Sequence, residues 1–145
     1  MALNNNVKNN RQIINGQICP YCNCKTERVS GSDIYTESIK YNNYIFIRCV
    51  MNKDHYVGTY ATGRSLGRLA DKALRKIKME THLIFDSLWK SENALFSSRK
   101  KAYGWLSNQL NLPPKLTHIG MFDIEQCKQV ILICEAIRKD QQLEK

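Results

Sequence analysis

The sequence predicts an α+β fold, in which a small antiparallel β module is followed by about three α-helices. Three observations predict this fold. The first half has short alternating apolar runs, the second half repeats apolar residues at three- and four-residue steps, and three cysteines lie between Cys19 and Cys24. The 145 residues suffice for one domain with a modest core. Residues 1–12 are rich in Asn and poor in large apolar groups, which predicts a flexible tail.

The predicted β module occupies residues 13–62. Its runs "QIING", "KTERVSGSD" and "YNNYIFIRC" are typical of two or three antiparallel strands that are separated by turns. In the last run, Tyr44 and Phe46 alternate with Ile45 and Ile47. Because side chains alternate across a strand, the two pairs are predicted to lie on opposite faces of the sheet.

The predicted helical module occupies residues 63–145, and we expect it to form one compact unit with the β module. Apolar residues recur at helical spacing through "GRSLGRLADKALRKIKMETHLIFDSLWK", which predicts a long amphipathic helix at about residues 69–89. The segment "SRKKAYGWLSNQLNLPP" predicts a second helix. Pro113 and Pro114 end it, since neither can donate a backbone hydrogen bond.

The last predicted helix has the clearest start signal in the chain. Asp123 can cap it, and Gln126, three residues later, completes a capping box. Phe122 precedes the cap and can pack on Cys127. The predicted buried stripe of this helix consists of Cys127, Val130, Ile131, Cys134 and Ile137.

Cys19 and Cys22 form a Cys-Pro-Tyr-Cys knuckle, in which two thiolates can bind one metal ion above a turn of the backbone. The chain offers two further ligands, Cys49 at the end of the "YIFIRC" strand and His55 six residues later. Ligand pairs on two loops that are separated by about 25 residues are typical of a zinc ribbon. The sequence therefore predicts one structural Zn²⁺ in a zinc-ribbon-like antiparallel β-hairpin. The metal would stabilise a hairpin that is too small to bury a sufficient core.

Other interpretations of the cysteines remain open. Cys24 is the alternative fourth ligand, because it follows Cys22 closely and could compete for the same ion. A thioredoxin-like redox pair would precede a helix, whereas strand-like residues follow this knuckle. Ordinary buried cysteines would leave the spacing unexplained. For Cys127 and Cys134 burial is nevertheless the preferred interpretation, since both lie on the apolar stripe of the last helix.

Five motifs follow one another in a specific order: "CPYC", "CVMNKDHYVGTY", "LGRLADKALRKIKMETHLIFDSLWK", "AYGWLSNQLNLPP" and "HIGMFDIEQCKQVI". This combination resembles a family of small bacterial and phage proteins that is described as a zinc-finger-containing domain of unknown function. The resemblance extends from about Cys19 to Ile131. It implies a zinc-binding hairpin followed by helices, without an established activity. In that family a cysteine usually precedes "DAYVG", where this chain has His55 before "YVG", so the resemblance leaves the fourth ligand open.

Positive charge is concentrated in the helical module. The chain carries 22 Lys and Arg against 13 Asp and Glu, a formal net charge of +9, which favours polyanionic partners. Ten basic and four acidic residues lie between positions 64 and 101. We therefore predict a small, non-enzymatic zinc protein that binds nucleic acid through a basic helical face. The predicted phosphate contacts are Arg68, Lys72, Arg75, Lys76, Lys100 and Lys101.

Two further functional hypotheses belong to other classes. The chain could be a host-modulating factor of phage or mobile-element origin that docks on a host protein through an aromatic patch including Trp89 or Trp105. It could also be a hydrolase that uses a second metal, because His82 and Asp86 are one helical turn apart. The preferred interpretation of these two residues is structural: they pair at the surface, or they connect the long helix to the loop that contains His118. The absence of a secretory leader and of a membrane-length apolar run predicts a cytoplasmic location.

Overall fold

The computed structural model describes residues 11–143. Residues 1–10, which make up most of the predicted tail, lie outside the described residues. The chain divides into two compact units, Met1–Ala73 and Leu74–Lys145, which we term the first unit and the second unit. Strands lie in the first unit and the long helices follow, so the predicted α+β class is confirmed. Within the described part of the chain, every helix is too short or too polar to cross a lipid bilayer.

The first unit contains a three-stranded antiparallel sheet. Its strands are β1 (Thr26–Ser30), β2 (Ile45–Cys49) and β3 (Tyr56–Gly58), and they lie side by side in chain order. Thr26 pairs with Cys49 at one end of the β1–β2 ladder. The metal-ligand candidates that precede β1 therefore lie at the same end of the sheet as Cys49, the last residue of β2.

Successive side chains of β2 lie on opposite faces of the sheet, as their alternation predicts. Ile47 and Cys49 are buried on one face, where they form a small apolar core with Cys19 and Leu69. Phe46 lies on the opposite face. There it contacts aromatic rings, among them Tyr35 at 5.8 Å and Tyr56 at 6.0 Å between ring centroids.

A short helix between β1 and β2, α1 (Gly31–Ile34), is absent from the sequence prediction. The Ser30 hydroxyl accepts a hydrogen bond from the Ser32 amide, and the Ser30 amide donates to the Asp33 carboxylate. Gly31 is required here because a Cβ atom at this position would collide with the Tyr41 carbonyl oxygen. The "SGSD" sequence is therefore a helix cap as well as a turn.

The "QIING" run is helical rather than extended, and that part of the strand prediction was wrong. Residues 11–14 form a helical turn, in which the Asn15 amide donates to the Arg11 carbonyl at 3.0 Å. Gly16 then adopts a φ of +75°, a conformation that glycine tolerates without strain. A five-residue run with two apolar residues, Ile13 and Ile14, does not distinguish a strand from a helical turn.

Three longer helices follow: α2 (Lys72–Lys90), α3 (Arg99–Leu110) and α4 (Ile124–Leu143). Helix α2 begins three residues later than predicted. Ala70 exchanges two backbone hydrogen bonds with Tyr56, at 3.0 and 3.2 Å, which extends the edge of the sheet and keeps this residue out of the helix. The apolar periodicity before Lys72 thus belongs to the core of the first unit.

The predicted C-terminus of α3 and the predicted N-terminus of α4 are confirmed. Helix α3 ends before the two prolines, and Asn111 caps it in a left-handed conformation with φ of 54°. At the start of α4, the Gln126 amide donates to the Asp123 carboxylate at 2.9 Å, and the Asp123 amide donates to the Gln126 side chain at 3.0 Å. This reciprocal pair is the predicted capping box.

The second unit has its own apolar core. Phe85 of α2 is fully buried and lies 4.6 Å from the ring of Tyr103 in α3, between ring centroids. On α4, Cys127, Val130 and Cys134 are fully buried, as predicted, whereas Ile131 and Ile137 are half-buried. The other large side chains of the second unit that are fully buried are Leu74, Thr81, Leu88, Leu106, Thr117, Ile119 and Phe122.

Candidate metal centre

The first ligand loop is a tight turn just before β1. The amides of Tyr21 and Cys22 donate hydrogen bonds to the Cys19 sulfur. Asn23, with φ of 54°, reverses the chain direction. The Cys19 amide then donates a hydrogen bond to the Cys24 carbonyl at 2.9 Å. The turn therefore directs the thiols of Cys19 and Cys22 toward the same point.

The second ligand loop repeats this arrangement after β2. The amides of Met51 and Asn52, at the second and third positions after Cys49, donate to its sulfur at 3.3 Å each. In each loop, two backbone amides therefore donate hydrogen bonds to the sulfur of the first cysteine. The second loop, however, has Asn52 at the position where the first loop has its second cysteine.

His55 supplies the fourth donor because the chain continues past Asn52 in a further turn. The Asn52 side-chain oxygen accepts from the Asp54 amide at 2.9 Å, and its carbonyl accepts from the His55 amide at 3.2 Å. The ring of His55 is 8% exposed and lies 4.4 Å from the ring of Tyr21, between ring centroids. Tyr21 is itself fixed, since its hydroxyl accepts from the Asp71 amide at 3.1 Å.

Cys19, Cys22, Cys49 and His55 cluster within range to bind one zinc ion: their ligand atoms all lie within 4.8 Å of one another. The Nδ1 atom of His55 is 3.5 Å from the Cys19 sulfur and 3.6 Å from the Cys22 sulfur. A tetrahedral Zn²⁺ with bonds of about 2.3 Å to sulfur and about 2.0 Å to nitrogen separates these atoms by about 3.5 Å. The distances therefore fit a shared zinc ion.

The electrostatics of the cluster also favour a bound cation. Burial opposes ionisation of Cys49, but hydrogen bonds from Cys24 and from the Met51 and Asn52 amides outweigh it and lower the pKa of the thiol to about 6. Burial raises the pKa of Cys19, to which the neighbouring Cys49 also contributes. Several thiolates this close together repel one another unless a positive ion neutralises them. A divalent metal with four protein ligands satisfies this requirement and leaves no position for water.

Cys24 contacts the site without joining the four-atom cluster. Its sulfur is 3.3 Å from that of Cys49. Two thiolates that share one tetrahedral zinc are about 3.8 Å apart. The closer approach of Cys24 is instead that of a thiol hydrogen-bonded to Cys49. The geometry thus favours His55 over Cys24 as the fourth ligand.

A family model described as a zinc-finger-containing domain matches residues 15–137 of the chain. The chain belongs to this family. The predicted resemblance is therefore confirmed, and the metal cluster of this zinc-finger-containing domain lies at the end of its β1–β2 ladder. Neither a curated protein nor a solved structure matches the chain.

The two residues that the hydrolase hypothesis requires have separate partners. The Nδ1 atom of His82, on the exposed side of α2, lies 3.0 Å from the Lys78 carbonyl oxygen. Asp86 accepts a hydrogen bond from the Trp89 indole at 3.2 Å. The two side chains thus lie one turn apart on the helix, each in contact with a residue other than the predicted catalytic partner.

The predicted phosphate contacts lie in several elements of the zinc-finger-containing domain. Arg68 precedes α2 in the first unit and is half-buried. On α2, Lys72 and Lys76 are exposed and Arg75 is half-buried. At the start of α3, Lys100 and Lys101 are exposed.

Sequence reasoning missed the residues that position the ligands. Tyr21 stacks on His55, and Asn52 occupies the position equivalent to Cys22 while ordering the turn to His55. A signal for Asn52 exists, since aligning "CPYC" with "CVMN" places Asn52 opposite a ligand cysteine. Tyr21 has no comparable signal, because its contact depends on the folding of the second loop.

Replacement of the fourth ligand is expected to remove zinc. His55→Ala leaves three donors, so we expect zinc content to fall from one ion per chain to a small fraction of that value. Cys24→Ser should retain one ion, because the four-atom cluster excludes Cys24. Elemental analysis of the dialysed proteins measures both values.

Asn52→Cys in the His55→Ala background provides a rescue variant, since it places a thiol at the position that Cys22 occupies in the first loop. Recovery of zinc would attribute the defect of His55→Ala to the lost donor. Full zinc content in His55→Ala, with loss of zinc in Cys24→Ser, would instead identify Cys24 as the fourth ligand.

Proposed function

We propose that this zinc-finger-containing domain is a non-enzymatic nucleic-acid-binding protein, in which zinc holds the β module rigid and lysines contact phosphates. One observation carries the proposal. Among the described residues, Arg48 forms an ion pair with Glu27, and Lys128 forms one with Glu125. The exposed lysines at 72, 76, 100 and 101 are absent from both pairs, so their charges are available to an external anion.

The start of α2 supplies two of these lysines. Lys72 and Lys76 are four residues apart, so they lie on the same side of the helix and one turn from each other. The first turn of α2 contains no acidic residue. The Asp54 carboxylate accepts a hydrogen bond from the Lys72 amide at 3.3 Å and occupies this end of the helix. The phosphate contacts that we propose here are therefore those of the two lysine side chains.

The start of α3 has the same character. Lys100 and Lys101 follow Arg99, and the first turn again lacks an acidic residue. Helices normally favour acidic side chains at this end, so three consecutive basic residues are locally unfavourable in the isolated protein. A bound phosphate would relieve that repulsion, which supports a role in binding polyanions rather than a purely structural role.

Alanine substitution of the lysines tests the proposal. We expect wild-type protein to bind DNA or RNA at about 50 mM salt, and binding to weaken steeply as salt rises. Lys72→Ala with Lys76→Ala, and separately Lys100→Ala with Lys101→Ala, should each reduce the slope of log affinity against log salt by about two. Fluorescence anisotropy with labelled single-stranded and duplex oligonucleotides measures this slope.

Lys128 provides the matched control, because it is exposed but paired with Glu125 at 3.7 Å. Lys128→Ala should leave the slope unchanged. The proposal would be refuted if wild-type protein at low salt showed no detectable binding to single-stranded or duplex oligonucleotides of either DNA or RNA. An unchanged slope in both double variants would refute the assignment of the contacts.

A host protein remains the alternative partner, in a chain of phage or mobile-element origin. Trp89, which that hypothesis requires to be exposed, is half-buried and donates to Asp86. Trp105 is likewise half-buried and lies 5.2 Å from Phe96, between ring centroids. We therefore favour nucleic acid. Affinity purification separates the two, since one stoichiometric partner that survives high salt and nuclease would support a protein target.

A further inference from the structure

We propose that Cys24 is a site of reversible oxidation by peroxides, at which a disulfide with Cys49 forms and releases the zinc ion. This chemistry belongs to the metal centre and does not depend on nucleic-acid binding. The Cys24 thiol contacts the ligand Cys49 without belonging to the four-atom ligand cluster. That thiol has no role in the coordination described above.

The contact between the two thiols is fixed by the backbone on both sides. The Cys24 carbonyl accepts from the Cys19 amide at 2.9 Å, and the next residue, Lys25, accepts from the Val50 amide at 3.4 Å. These bonds connect the segment around Cys24 to both ligand loops. The sulfurs of Cys24 and Cys49, 3.3 Å apart, are therefore held in contact by the fold.

Cys24 is more accessible than the thiol it contacts. Cys49 is 2% exposed and Cys19 is fully buried, whereas Cys24 is intermediate in exposure. Cys22 is exposed, but it is one of the four zinc donors, and its negative charge is shared with the metal. A peroxide can thus reach Cys24 without first displacing a ligand from zinc.

The chemistry takes two steps. The Cys24 sulfur attacks one peroxide oxygen, so that the O–O bond breaks, a sulfenic acid forms, and the thiol proton leaves with the other oxygen as water or an alcohol. The Cys49 thiolate then attacks the Cys24 sulfur. An S–S bond forms, the S–O bond breaks, and hydroxide departs and takes a proton from solvent. Two electrons pass from the two thiols to the peroxide.

Loss of Cys49 leaves zinc with three of its four donors. The remaining ligands would be Cys19, Cys22 and His55. Because a structural zinc site depends on all four donors, the ion should dissociate to a competing chelator. A dithiol reductant reverses the reaction by cleaving the disulfide, after which added zinc can bind again.

Peptide mapping of the oxidised full-length holoprotein identifies the bond. Trypsin cuts after Arg11, Lys25, Arg48 and Lys53, so residues 12–25 and residues 49–53 fall in different peptides. A disulfide of Cys49 links these two peptides, and fragmentation then locates the partner within residues 12–25. We expect Cys24 as that partner after treatment with hydrogen peroxide. A disulfide confined to residues 12–25, or one that joins Cys49 to Cys19 or Cys22, would overturn the proposal.

Zinc release provides an independent measurement. With a chromogenic chelator present, hydrogen peroxide should release zinc from wild-type protein about tenfold faster than from Cys24→Ser or Cys24→Ala. Cys134→Ala, which removes a fully buried thiol of α4, should release zinc at the wild-type rate. Equal rates in wild type and both Cys24 variants would refute the proposal. If both variants were purified without zinc, Cys24 would be a ligand and the proposal would also fail.

Discussion

Removal of zinc is expected to unfold the first unit and to leave the second unit folded. The buried cluster beside the sheet consists of Cys19, Ile47, Cys49 and Leu69, and two of these four side chains are metal ligands. Without the ion, no cation neutralises the Cys49 thiolate, and the two ligand loops lose the four bonds that join them through the metal. The remaining apolar contacts are too few to keep the sheet folded. The second unit has a separate buried core and contains none of the ligands.

The aromatic residues of the chain allow the two units to be followed separately. Both tryptophans, Trp89 and Trp105, lie in the second unit, and six of the seven tyrosines lie in the first. Addition of a strong chelator should therefore abolish the near-ultraviolet dichroism of tyrosine while tryptophan fluorescence keeps its native maximum. Zinc should restore the tyrosine signal. Retention of that signal in demonstrably metal-free protein would contradict the structural role of zinc.

Truncation of Phe85 is expected to cause the largest loss of stability in the second unit. Its ring is fully buried against Tyr103, so Phe85→Ala both removes apolar contacts and leaves a cavity. Substitutions of this kind lower the free energy of unfolding by about 3–5 kcal/mol. Urea denaturation that is followed by tryptophan fluorescence should show a lower midpoint with an unchanged slope.

Phe96 serves as the matched control for this prediction. It is half-buried and contacts Trp105 at the surface of the second unit. Because Phe96→Ala leaves a site that water can fill, its loss of stability should be clearly smaller than that of Phe85→Ala. Equal losses for the two variants would show that Phe85 is not the centre of this core.

The parts of the fold with redundant signals could be predicted from the sequence. The capping box of Asp123 and Gln126 coincides with an apolar repeat, so the start of α4 follows from two independent features. By contrast, Ala70 has helical spacing but pairs with Tyr56 across the sheet. That backbone contact depends on a residue 14 positions earlier, and local periodicity contains no information about it.

The ligands of the metal centre were likewise only partly predictable from the sequence. The spacing of Cys19, Cys22 and Cys49 predicts three donors, because the chemistry of zinc restricts the residue types that can bind it. The choice between Cys24 and His55 required coordinates, since both residues were near enough in sequence to serve. The distances favour His55, which lies at the separation that zinc imposes, whereas the sulfur of Cys24 lies closer to that of Cys49 than two zinc ligands normally do.

The order of the ligands along the chain has a consequence during synthesis. Cys19 and Cys22 leave the ribosome well before His55, which lies beyond two strands and the segment between them. The coordination sphere cannot close until that last donor has emerged. Nascent chains therefore pass through a period in which the first thiols have no metal to protect them.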